Sequence, residues 1–102
     1  MTTIKEHIES TLAQKKITLF MKGNRHAPQC GFSAHVVGIL LKKGVDFQEF
    51  DILQDDFLRQ GLKEYSNWPT FPQLYVSGKL IGGSDIVAGL EASGELDKVL
   101  AG

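Results

Sequence analysis

The chain has 102 residues, 42% of them hydrophobic and 23% charged, with a formal net charge of -1 and one cysteine. This is enough for one domain, residues 1–102, that buries roughly 60–70% of its unfolded surface. The near-neutral balance counts against a nucleic-acid partner, which requires a basic face; no window approaches the ~18 apolar residues of a membrane span; and a lone cysteine with no signal-peptide layout counts against a secreted, disulfide-stapled fold. The reducing cytoplasm, or an equivalent compartment reached with a removed transit peptide, is the simplest location.

Thr3-Ile4-Lys5-Glu6 fits a capping box, and Ile4, Ile8 and Leu12 recur at helical spacing, so the spacing predicts a helix to about Lys15. Ile17-Thr18-Leu19-Phe20-Met21 is the β-branched and aromatic run of a buried strand. A loop containing Cys30 follows, and then Val36, Val37, Leu40 and Leu41 line a helix that ends at Lys42-Lys43-Gly44. Phe47 to Ile52 reads as a second strand, parallel to the first because it follows a βα unit. Asp55-Asp56 offers an N-cap for a helix lined by Leu58, Leu62 and Tyr65, with Arg59 on another face, stopped by Asn67-Trp68-Pro69. Gln73 to Val76 and Lys79 to Gly82, joined by Ser77-Gly78, form a hairpin signal. Ser84-Asp85 is a further N-cap candidate before Ile86, Val87 and Leu90, and Leu96, Val99 and Leu100 suggest a last short helix. The pairs Lys15-Lys16 and Lys42-Lys43 read as solvated helix ends.

The order αβαβαββα gives an α/β fold: a four-stranded mixed sheet with helices on both faces, the thioredoxin-like arrangement. Such sheets bind ligands beyond the carboxyl end of a strand, and Cys30 sits at the first such strand-to-helix junction. The orphan N–H groups of the helix start favour an anion there. A helix N-terminus contributes up to about 2 kcal/mol and one pKa unit costs about 1.36 kcal/mol, so the dipole lowers a thiol pKa by roughly one unit, with Lys22 placed to add to it. A lone cysteine is more often an ordinary small buried residue. Pro28, Gly31 and the loop-to-helix junction favour a reactive thiolate, able to attack disulfides and ligate metals.

Lys22-Gly23, Pro28, Cys30-Gly31-Phe32-Ser33, Trp68-Pro69-Thr70-Phe71-Pro72 and Gly82-Gly83-Ser84-Asp85 together closely resemble the monothiol glutaredoxins of the Cys-Gly-Phe-Ser class, from about Ile4 to Leu100. The resemblance implies a thioredoxin fold that binds glutathione and, as a homodimer, holds a [2Fe-2S] cluster for delivery to client apoproteins, with a BolA-like protein as a possible regulatory partner. A [2Fe-2S] cluster is normally held by four thiolates. Two chains supply two, and two glutathione molecules complete the set.

By the same resemblance, Cys30 is the catalytic and cluster-ligating residue, and Lys22 and Arg59 hold the glycyl carboxylate of glutathione in charge-assisted contacts. Taken alone, each cation reads equally as a solvated surface residue. Thr70-Phe71-Pro72 resembles the family's cis-proline turn, which aims the Phe71 backbone at the ligand as an added strand does; without the resemblance, two trans prolines in a loop suffice. Gly83 permits close approach, and Ser84 and Asp85 open a helix whose N–H groups receive the γ-glutamyl carboxylate; an Asp-capped turn needs no ligand. Phe32 packs beside the cluster or anchors the helix start, and Trp68 reads as core rather than ligand contact. His7, His26 and His35 lack metal-ligand spacing.

Two departures from the family pattern stand out. Ser84 occupies a position where many members have a second cysteine, so an internal disulfide is impossible, and Asn24-Arg25-His26-Ala27 replaces a threonine-proline start, so no ligand contact is carried over to Asn24 or Arg25. Two functions remain open: a cluster carrier, and a monothiol oxidoreductase acting on glutathione mixed disulfides, in which a second glutathione does what Ser33 cannot.

Overall fold

The computed structural model describes residues 3–102. It contains α1 (Ile4–Leu12), β1 (Ile17–Met21), β2 (Gly23–Asn24), β3 (Ala27–Pro28), α2 (Gly31–Lys43), β4 (Gln48–Asp51), α3 (Asp56–Ser66), β5 (Gln73–Val76), β6 (Lys79–Gly82), α4 (Ser84–Ser93) and α5 (Leu96–Leu100). The main sheet has the order β4-β1-β5-β6. β1 pairs parallel with β4, Phe20 opposite Phe50, and antiparallel with β5, Leu19 opposite Leu74; β5 and β6 close the predicted hairpin.

All five residues of β1 are buried, because both faces of the strand are covered. Ile17, Leu19 and Met21 join a core with Val36, Val37 and Leu40 of α2, Val87 of α4, and Leu96 and Leu100 of α5. Phe20, on the other face, joins Ile8 and Leu12 of α1, Leu58 and Leu62 of α3, and Tyr75 of β5. The strand alternation thus sorts the side chains into two layers of helix. Thr18, a polar residue in this strand, is fully buried and accepts from Gln48 Nε2 at 2.9 Å, while the same amide reaches Thr11 O at 2.8 Å. No helix among the described residues is long and apolar enough to cross a membrane.

The Thr3 capping box forms as expected: Glu6 N–H donates to Thr3 Oγ1 at 3.1 Å and Thr3 N–H to Glu6 Oε1 at 3.3 Å. The helix ends at Leu12, sooner than Lys15, because Gln14 N–H bonds Thr11 O and tightens the last turn. Lys15 and Lys16 therefore do not close this helix. Lys15 pairs with Asp46 at 2.6 Å, and Lys16 donates to Ala101 O at the end of α5. Lys42 and Lys43 do lie in the last turn of α2, with Lys43 bonded to Asp97 at 3.0 Å. The second strand is shorter than 47–52, since Phe47 and Ile52 turn into the two cores on either side of it.

The β2–β3 hairpin between β1 and α2 has no counterpart in the sequence expectations. Asn24 Oδ1 accepts from His26 N–H at 2.8 Å and Ala27 N–H at 2.9 Å, which closes the turn. Gly23 makes it possible: its φ is +86°, and a Cβ there would stand 2.5 Å from Ala27 O. The Gly23 N–H donates to Asp51 Oδ1 at 2.9 Å, tying the hairpin to the end of β4.

Candidate functional site

Cys30 is the N-cap of α2, with extended backbone (φ -153°, ψ 139°) and no side-chain hydrogen bond closing the cap. The residue is partly exposed. The thiol pKa is lowered from its ordinary value chiefly by the Ser33 N–H; burial opposes the shift, and the Phe32 N–H, the Lys22 ammonium and the Ser33 hydroxyl add to it. A helix start and a nearby cation therefore favour thiolate, as the strand-loop-helix pattern predicts. Ser33 has a second task. It is fully buried, and its Oγ accepts from Lys22 N–H at 3.1 Å, so it fastens the end of β1 to the first turn of α2 and fixes the distance between Lys22 and the thiol.

Cys30 opens into a cleft of about 600 Å³, within the range of small-molecule sites. Every site residue predicted from the sequence lines it. Lys22 comes from the end of β1 and Arg59 from α3. Neither forms an ion pair among the described residues, whose pairs are Lys15–Asp46, Arg25–Glu49 and Lys43–Asp97. Arg59 Nε is buried without a hydrogen-bond partner. Thr70, Phe71 and Pro72 contribute one wall, and the Phe71–Pro72 peptide bond is cis. Neither the N–H nor the C=O of Phe71 is engaged by another described residue.

Gly83, Ser84 and Asp85 supply the remaining wall at the start of α4. The N-cap here is Gly83, not Ser84 or Asp85, which are already helical; Gly83 is extended and has no side chain to cap with. Ser84 instead turns inward, buried, with Oγ 3.4 Å from His35 Nδ1. A Cβ on Gly83 would lie 3.2 Å from Pro72 O and 3.6 Å from Trp68 Nε1, so glycine keeps this corner open. Asp85 is exposed in the first turn.

Phe32, Trp68, Pro69 and Ile86 complete the lining, and three of them do so in ways that sequence reasoning left open or misread. Phe32 is 62% exposed, so it does not anchor the helix start; it stands beside Cys30 as an apolar lip. Ile86, 45% exposed and read from the sequence only as a helix residue, borders the same opening. Trp68 is half-buried in the cleft wall rather than in the core, and its Nε1 is enclosed without a partner. Its position after an Asn67 in left-handed conformation (φ 53°) ends α3 and swings the ring toward the cleft; Asn-Trp-Pro was the available signal.

Arg25 and Asn24 belong to the hairpin. Arg25 Nε bonds Glu49 Oε1 at 2.7 Å, its terminal nitrogen bonds Phe47 O at 2.6 Å, and its guanidinium lies 4.0 Å over the Phe47 ring. Among the described residues no group of three or more His, Cys, Asp and Glu side chains is arranged to hold a metal ion.

Comparison with known proteins agrees with this architecture. The glutaredoxin family model matches residues 17–81. A probable monothiol glutaredoxin 2 from Rickettsia typhi is 52% identical over 93 residues, covering 91% of this chain and 84% of that protein. Monothiol glutaredoxin-S17 from Arabidopsis thaliana is 54% identical over 98 residues, 96% of this chain, and the chain spans 20% of the length of that plant protein. The solution structure of reduced poplar apo GrxS14 superposes with a TM-score of 0.85 at 46% identity, covering 97% of this chain and 91% of that one. The fold is thioredoxin-like, and the chain belongs to the glutaredoxin family, with the Cys30-Gly31-Phe32-Ser33 sequence of its monothiol members.

Proposed function

We propose that this chain binds glutathione in the Cys30 cleft and that two chains with two glutathiones carry a [2Fe-2S] cluster as cargo for client apoproteins. The observation that carries the reading is the pairing, in one cleft, of a lone thiol with unneutralised cations. Among the described residues Lys22 and Arg59 have no acidic partner, and an Arg Nε and an indole Nε1 in the cleft walls lack acceptors. A buried donor left unpaired costs about 1–3 kcal/mol, so the cleft suits a ligand rich in carboxylate and carbonyl oxygens. Glutathione has that character. Lys22 and Arg59 would take its glycyl carboxylate, the unengaged Phe71 backbone its cysteinyl unit, and the uncapped start of α4, Gly83 to Asp85, its γ-glutamyl end.

The donor set fits the cargo in number and access. Cys30 is the one thiolate of the chain, half-exposed beside the exposed Phe32, and a four-thiolate cluster requires three more. A second copy and two glutathione thiols supply them. Within each chain the N–H groups of Ser33 and Phe32, with Lys22, lower the Cys30 pKa and so favour the thiolate that ligation needs.

The test is anaerobic reconstitution with iron and sulfide, with and without glutathione, followed by visible absorption and mass on one sample. A coloured dimer that forms only with glutathione supports the carrier. A colourless monomer that reduces glutathione mixed disulfides transfers the assignment to the oxidoreductase, which the lowered thiol pKa serves equally.

A further inference from the structure

The segment from Asn67 to Pro72, which forms one cleft wall, has no regular secondary structure, yet two of its carbonyls are held from inside the protein. Gln73, the first residue of β5, is fully buried and sends Nε2 to Trp68 O at 3.0 Å and to Thr70 O at 3.3 Å. Its Oε1 accepts from Tyr75 O–H at 3.0 Å. From the other side, Trp68 N–H donates to Ser66 Oγ at 3.1 Å, and the Ser66 hydroxyl donates to Leu62 O at 2.7 Å.

The chemistry of an amide explains why this position is a glutamine. Residues 73 and 75 share one face of β5, so the phenol of Tyr75 reaches the Gln73 amide two residues away. With Tyr75 donating to Oε1, both N–H bonds of Nε2 are left for the two carbonyls; the flipped amide would set Oε1 against Trp68 O and Thr70 O, acceptor facing acceptor. Filling the core at this position requires only volume. Two donors aimed out of the sheet at a loop are needed only if the loop must keep one shape.

We propose that Gln73, locked by Tyr75, is a positioning residue of the ligand site: it fixes the Trp68 and Thr70 carbonyls and so presents the Phe71 backbone and the Trp68 ring to the bound molecule. The proposal rests on the reading of the cleft as a glutathione site. Gln73 does not touch the ligand. It acts through the loop.

Gln73→Glu tests this at constant shape. An ionised carboxylate has no donor and repels both carbonyls, whereas a protonated one regains a single O–H. The titratable side chains known to act on this network are Tyr75, with its phenol pushed up to about 12, and its neighbour Tyr65. Reduced glutathione is titrated into wild type and variant from pH 5 to 8 and the ratio of their affinities is taken, which cancels titration of glutathione and of Cys30. The variant is expected to bind at least tenfold more weakly at pH 8, with the deficit shrinking on acidification. Gln73→Met should be weak without that pH dependence, and Tyr75→Phe a few-fold weak.

Trp68 is the only tryptophan, so its fluorescence reports the loop with no ligand present. In Gln73→Glu it should change with pH while far-ultraviolet circular dichroism does not. Wild type that fails to bind glutathione overturns the ligand reading alone, and the fluorescence arm then decides the positioning role. Wild-type affinity and wild-type emission in Gln73→Glu at every pH overturn the proposal. Should that variant not fold, undiminished affinity in both Gln73→Met and Tyr75→Phe overturns it.

Discussion

Arg25 and Arg59 place the same guanidinium in opposite settings within one small protein. In the β2–β3 hairpin, Arg25 is clamped by Glu49, by Phe47 O and by the face of the Phe47 ring, so its charge is paired and its Nε and one terminal nitrogen are engaged. In the cleft, Arg59 and Lys22 form no ion pair among the described residues, and Arg59 Nε is enclosed without an acceptor. The hairpin spends its polar groups on its own shape, whereas the cleft keeps them for something else. A cation's partners, rather than its identity or exposure, separate structural from functional use.

The comparison breaks first at Cys30. Cys30→Ser removes the one thiolate per chain, so reconstitution should yield neither visible absorption nor a cluster-dependent dimer; a coloured dimer would refute the ligand assignment. Next, the two arginines should exchange signatures. Arg59→Ala is expected to weaken glutathione binding by about 1.5–3 kcal/mol, the range for hydrogen bonds to charged groups, with little change in melting temperature. Arg25→Ala should lower stability by about 1–3 kcal/mol, since it leaves Oε1 of the half-buried Glu49 without its guanidinium partner, only Oε2 keeping the backbone N–H of residue 25, while leaving glutathione affinity near wild type. Calorimetry of binding and of unfolding on both variants reads the contrast.

A smaller effect sharpens the electrostatic side. The Cys30 pKa is lowered, so alkylation by iodoacetamide should reach half its maximal rate at a lower pH than for an ordinary thiol, and Lys22→Gln should move that midpoint upward modestly, because the Ser33 N–H rather than Lys22 is the leading cause. A last effect lies beneath the cleft wall. Burial raises the Tyr75 phenol to about 12, partly opposed by the Ser66 hydroxyl. The folded protein then keeps a proton that the unfolded chain releases from about pH 10, so stability should fall as pH rises from 10 to 12. Tyr75→Phe should flatten that limb in alkaline denaturation.

Local pattern carried much of this into the sequence. Five buried residues in a row announced β1, Thr3 and Glu6 announced the start of α1, and the glycine after Lys43 announced the end of α2, because each signal depends on neighbours a few residues apart. The cleft residues were legible as motifs: Lys22, Cys30, Arg59, Thr70 to Pro72 and Gly83 to Asp85 all line it. What escaped depends on contacts across long separations. The hairpin is held by Arg25 to Glu49 and Gly23 to Asp51, bonds between residues 24 and 28 apart that leave no periodic trace. Gln73 looked like one more strand residue, since nothing local reveals that its amide faces the loop before it. Ser84-Asp85 looked like a cap because the residue types suit one, but burial of Ser84 against His35 assigns the cap to Gly83.

A chain with one thiol has a consequence for concentration. Any cargo that needs four sulfurs must recruit every other ligand from separate molecules, so its retention follows mass action in both the protein and the small thiol. Dilution then becomes a release mechanism in its own right, and a twofold fall in both components weakens the assembled state far more than twofold. For the proposed carrier, loading and unloading would be governed by the supply of partners, with no moving part in the fold required.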